Sequence, residues 1–313
     1  MTRCFLGSTS SSKPKRPARA VPSTPLPRLA LARITIFEKR FPDADKMIDS
    51  LLEQAKTADS LQGQFDAFLL KADLAEAMDK PDEYGYALER AFELRHEHVP
   101  TAIALADFLL EQDKVTDALE RLTLCEKEGG ASAEFTVALV ETLTASGDHE
   151  RAAEKLTAGL EASPNNSRLL ILQAQRKEKE GHLKTAKALY ARIIETNPQV
   201  VEAYLALSQL LVTELKTDEA IAVLDDGSNK ALDKLALLAE MAEVQMKTGL
   251  ILKAKETMAR ILEIDPGNLS IKLRFAKLLQ GLGHWDESAK YYRDLESAGA
   301  LKLSEVLDYA VVL

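Results

Sequence analysis

Apolar and small residues recur along this chain at helical spacings of three and four, and the pattern itself repeats every 34 residues. Blocks that start at 99, 133, 167, 201, 235 and 269 align column by column, and each predicts two helices. The first helix carries an apolar residue followed by a small one: Leu105-Ala106, Leu139-Val140, Leu207-Ser208, Met241-Ala242 and Phe275-Ala276, with Gln173-Ala174 keeping only the small member. The second carries Ala118, Ala152, Ala186, Ala220 and Ala254, then one turn later Leu122, Leu156, Tyr190, Leu224, Met258 and Tyr292. Such spacings put these residues on one face. A small side chain on each helix lets two axes approach closely, and the larger residues fill the space toward the next pair.

The breaks keep the same period. Gly147, Gly181, Gly249 and Gly283 fall where the first helix should end, with Leu215 in the skipped place. Glycine is the usual residue of a left-handed helix cap. Ser163-Pro164, Asn197-Pro198 and Asp265-Pro266 fall where the second helix should stop, with Leu232 in the remaining slot. Proline lacks the N–H that a continuing helix needs and restricts the residue before it.

This 34-residue helix–turn–helix resembles the tetratricopeptide repeat, and the segments AEKLTAGLEASPNN, AKALYARIIETNPQV and AKETMARILEIDPGN are the most similar to its second helix and linker. The resemblance covers residues 65–313 and implies an all-α, right-handed superhelical solenoid of antiparallel helix pairs. Ahead of the six blocks, a shortened repeat runs from about Phe68, with Leu74-Ala75, Ala87 and Leu94 in the expected places and Pro81 and Asp82 as its turn. Residues 28–64 read as a divergent helix pair joined around Phe41-Pro42, followed by a soft joint at Gln62-Gly63-Gln64. At the other end, residues 303–313 restart the pattern, with Tyr309-Ala310 in the apolar–small column. The halt at Leu313 is expected to be a truncation within a longer chain, and an uncapped apolar end offers a route to self-association.

Composition changes this picture at one end. Residues 1–27 are rich in Ser, Pro and base, and read as a disordered tail. An organelle transit peptide and a basic nuclear-import cluster at Lys13-Pro14-Lys15-Arg16 stay open there, beside a cytoplasmic location. Seven Lys or Arg and no acid lie in residues 1–37, so the rest of the chain carries 33 basic and 49 acidic residues, a net −16. That excess disfavours a nucleic-acid partner. No window approaches the roughly 18 apolar residues of a membrane span. Cys4 and Cys125 are the only cysteines, and Cys125 reads as a small buried apolar residue.

Candidate chemistry is sparse. His96 and His98 flank Glu97, but residues two apart do not share a helical face, so a metal site is disfavoured. His149, His182 and His284 recur near inter-helix turns, and Trp285 and the Tyr291-Tyr292 pair read as packing residues. No phosphate loop, nucleophile elbow or metal motif occurs, and no cofactor is expected.

What the resemblance implies instead is a concave groove lined by first helices. The matching positions are Asp107, Glu111, Glu141, Arg168, Gln175, Lys179, Gln209, Glu243, Lys247 and Lys277, acidic toward the N-terminal end and more basic toward the C-terminal end. Ile103, Val137, Ile171 and Leu205 are expected to contact apolar anchors there. The Lys/Asn/Arg clamp by which some family members hold chaperone tails is missing, because Asp107, Val137, Glu141, Ile171 and Leu172 occupy its positions. The resemblance therefore points to a non-enzymatic scaffold or adaptor whose groove binds a peptide or partner helix. Its alternatives are the recruiting arm of a larger enzyme such as a glycosyltransferase, with the catalytic domain beyond Leu313, and an assembly factor for secretion or envelope polysaccharide.

Overall fold

The computed structural model describes residues 25–312, and among them every regular element is an α-helix. The chain divides into two compact units, Met1–Gly147 and Asp148–Leu313. Unit 1 contains α1 (Pro25–Phe37), α2 (Phe41–Thr57), α3 (Leu61–Ala77), α4 (Pro81–Leu94), α5 (Val99–Glu111), α6 (Val115–Lys127) and α7 (Ala133–Ala145). Unit 2 contains α8 (His149–Ala162), α9 (Ser167–Lys179), α10 (Leu183–Thr196), α11 (Val201–Thr213), α12 (Thr217–Lys230), α13 (Leu235–Lys247), α14 (Ile251–Ile264), α15 (Leu269–Gly281), α16 (Trp285–Ser297) and α17 (Leu303–Val312). Within each unit, helices joined by short turns reverse and pack pairwise, each pair resting on the next. No described helix is long and apolar enough to cross a membrane.

The starts of α5, α7, α9, α11, α13 and α15 coincide with the six expected block origins. Tight turns explain the periodicity. Gly181 and Gly249 adopt φ of +79° and +78°, and the amides one residue later, His182 and Leu250, donate back to Lys177 and Gln245 carbonyls at 2.8 Å. These are left-handed caps that close the first helix. Leu215 takes the same turn at φ +61°, with Lys216 bonded to the Leu211 carbonyl at 2.9 Å.

Close approach of the paired helices rests on the small columns. Ala118, Ala186, Ala220 and Ala254 are fully buried, as are Ala106, Ala174, Ser208 and Ala276 on the first helices. Ser288 takes the next slot of the alanine column, and its hydroxyl donates to the Ala276 carbonyl at 2.8 Å. The larger column is buried too, from Leu122 to Tyr292. Polar staples tie first to second helices in the same pairs: the Tyr190 hydroxyl donates to Glu178 at 2.5 Å, and Thr257 donates to the buried Gln245 side chain at 2.8 Å.

The N-terminal boundaries depart from the sequence reading. Residues 25–27, assigned to the tail, form the start of α1, where proline is tolerated because first-turn N–H groups need no helical partner. The remainder of the tail, with Cys4, lies outside the described residues. Phe41-Pro42 and Pro81-Asp82, expected to be turns, open α2 and α4 for the same reason; the turns lie just before them. Gln62, Gly63 and Gln64 are not a joint. They form the first turn of α3, where the Ser60 hydroxyl caps the Gly63 amide at 3.1 Å.

Candidate partner-binding surfaces

Unit 1 holds an acidic cleft at the turn between α3 and α4 and the neighbouring face of α5. It has a volume of about 310 Å³, and Glu76, Asp79, Asp107 and Glu111 line it together with Lys80 and Tyr84. The Tyr84 ring meets Phe108 edge to face at 5.8 Å. Burial pushes the Tyr84 hydroxyl above its ordinary pKa, and the carboxylates of Glu76 and Asp107 add to the effect. Asp107 and Glu111 lie one turn apart on α5 and line this cleft together. Glu141 is half-buried on α7.

Unit 2 holds a larger cleft of about 660 Å³ formed by α13, α14 and α15. Its lining gathers Glu243, Lys247 and Lys277 with Met246, Ile251 and Leu278. The Glu243 carboxylate lies 2.7 Å from Lys247 and 3.7 Å from Arg274, and the Lys247 hydrogen bond holds it below the usual carboxylate range. Lys277 pairs with Asp308 of α17 at 3.2 Å. Arg168, Gln175, Lys179 and Gln209 are exposed on α9 and α11 and line neither cleft. Gln175 donates to Glu202 at 3.1 Å, joining α9 to α11.

The residues expected to contact apolar anchors fare differently. Val137 and Ile171 are 3% and 5% exposed and belong to the core. A helix packed on both flanks hides more than one stripe, so a position that is open on an isolated pair is covered in an array. Ile103 and Leu205 are half-buried. The apolar surface of the unit 2 cleft comes instead from Met246, Ile251, Leu278 and Leu282, with Met258 beneath. Sequence columns drawn on the first helix miss Ile251, because it is the first residue of the second helix. Trp285, expected to pack, is 47% exposed at the corresponding place in the next pair.

The histidines sort by position. His98 stands where Ser132, Asn166 and Asn268 stand in later repeats, and all four side chains accept from the backbone at the start of the following helix. His96 lies edge to face with Phe92 at 5.1 Å. Among the described residues, no group of three or more His, Cys, Asp or Glu is placed to hold a metal. Cys125 is fully buried, and desolvation pushes its thiol pKa up, the opposite of an activated nucleophile.

Known structures with this helix-pair arrangement are similar to the chain. The crystal structure of yeast Tom70 matches with a TM-score of 0.66 at 14% identity, over 96% of this chain and 65% of that one, so the match spans just under two thirds of Tom70. A tetratricopeptide repeat protein from Parabacteroides merdae matches with a TM-score of 0.49 at 14% identity, over 79% of this chain and 98% of that chain. PilF of Pseudomonas aeruginosa gives 0.49 at 16% identity, over 69% and 98%. No family model and no curated protein matches the chain. Its repeat period, its buried columns and its likeness to Tom70 together give it the helix-pair repeat fold of the tetratricopeptide type.

Proposed function

We propose that the chain is a non-enzymatic interaction scaffold that holds a peptide or a partner helix against the exposed faces of its first helices. The observation that carries this reading is the division of labour within each repeat. The alanine column and the larger residues one turn on are buried packing residues, whereas the exposed first-helix positions vary in charge from Asp107 and Glu111 to Lys247 and Lys277. A repeated frame with variable exposed positions is how solenoids build binding surfaces. The reading assigns no catalytic, cofactor-binding or metal-binding residue.

Charge complementarity on such a surface governs orientation and association rate more than affinity. The test is capture of a protein partner by the immobilised full chain, followed by charge reversal at two places. Glu111→Lys with Glu141→Lys, or Lys247→Glu with Lys277→Glu, should weaken capture and change its salt dependence. A partner retained equally by both double variants would sink the proposal.

A further inference from the structure

The unit 2 cleft joins an apolar floor to a cationic rim. We propose that it takes an acidic amphipathic peptide: a bulky apolar side chain seated over Met246 and Leu278, with flanking carboxylates on Arg274, Lys247 and Lys277. This rests on the scaffold reading and names the chemistry of its partner.

Three observations converge. The volume of about 660 Å³ falls within the roughly 300–1,000 Å³ of ligand clefts. The floor carries Met246, 37% exposed, above the buried Met258, and methionine adapts its shape to an entering side chain. The rim is short of acceptors. Two carboxylates serve its three cations, Glu243 for both Lys247 and Arg274 and Asp308 for Lys277, although a guanidinium offers five N–H donors and an ammonium three. An acidic peptide adds acceptors to these cations, and Arg274 can take a carboxylate through two parallel N–H bonds. A basic peptide would set its own cations against them. The acidic cleft of unit 1, with Glu76, Asp79, Asp107 and Glu111, has the opposite preference. A nucleic acid fits neither the apolar floor nor a chain that is net −16 beyond residue 37.

The experiment uses the full chain carrying methyl-13C methionine, titrated with three synthetic probes: an amphipathic Leu/Glu peptide, its Leu/Lys counterpart and its Ser/Glu counterpart. The Leu/Glu peptide should shift the Met246 and Met258 methyl signals and leave Met47 and Met78 of unit 1 unmoved. The other two probes should bind at least about tenfold more weakly. Arg274→Glu with Lys277→Glu should cost the Leu/Glu peptide about tenfold in affinity with the helical circular dichroism retained. If that variant unfolds, the single exposed change Lys247→Gln and a salt titration of the native chain give the same readout. Equal binding of the Leu/Lys peptide, shifts confined to other methionines, or no binding of the Leu/Glu peptide would overturn the inference. A captured protein partner that maps to another face would leave the scaffold reading standing while this one falls.

Discussion

At the residue scale, two positions show that the same glycine-or-not choice is decided by opposite physics. Gly227 lies inside α12, where alanine would ordinarily favour the helix by about 1 kcal/mol. A Cβ there would meet the Tyr204 ring at 2.8 and 2.9 Å and a Leu237 methyl at 3.1 Å. Tyr204 and Leu237 are fully buried, so neither has room to withdraw. Gly227→Ala is therefore expected to destabilise by about 1–3 kcal/mol through overpacking. Leu215 has the reverse problem. It is 90% exposed and holds φ of +61°, which favours glycine. Leu215→Gly should stabilise by about 0.5–1 kcal/mol, the relief of the left-handed strain less the entropy of a freer unfolded chain. Urea denaturation of both variants checks the pair. A stabilised Gly227→Ala, or a clearly destabilised Leu215→Gly, would contradict this account of the columns.

At the element scale, the start of α5 depends on an imidazole. The unprotonated Nδ1 of His98 accepts from the Thr101 amide at 3.3 Å, and the ring sits edge to face with Phe65 at 4.9 Å. Burial holds its pKa below the ordinary value, and the Arg95 charge adds to this against smaller opposing effects of Glu97 and Asp66. A base with a depressed folded pKa binds fewer protons than the unfolded chain, so its stabilisation is present above about pH 6.5 and is lost as pH falls. His98→Ala should cost about 1 kcal/mol at pH 8 and markedly less at pH 5. A difference that stays constant between the two pH values would refute the cap. The sequence shows His98 only as part of a weak metal pattern; its role appears once Ser132, Asn166 and Asn268 are seen at the same place. By contrast, helix origins from Val99 to Leu269 were readable in advance, because steric columns and left-handed turns leave few residue choices. The cleft residues were only partly readable. Glu243, Lys247 and Lys277 lie on the first-helix face, but Ile251 and Met258 enter from the second helix. Which side chains meet in a cleft depends on neighbouring pairs, and the period within one pair does not encode that.

At the scale of the whole molecule, the neighbour-to-neighbour packing of the described helices in unit 2 should govern its stability. In a repeat array each pair touches only its neighbours, so stability is a sum of pair and interface contributions. One continuous cluster runs from Tyr204 through Met241, Met258 and Phe275 to Leu279, which puts α13 and α14 between packed partners on both sides. Tyr292, Leu295 and Tyr309 form a smaller cluster with Ala276, in which Tyr309 of α17 stacks on Tyr292 at 5.5 Å. Local opening costs least where few buried apolar contacts hold an element. Hydrogen exchange should therefore be slowest in α13 and α14, which packed helices flank on both sides. Met258→Ala, expected to cost about 2–5 kcal/mol, should raise exchange in α13, α14 and α15 while α9 keeps its protection. Uniform protection across unit 2, or an equal loss in α9, would mean that the unit unfolds as one cooperative block and that stability does not travel from neighbour to neighbour.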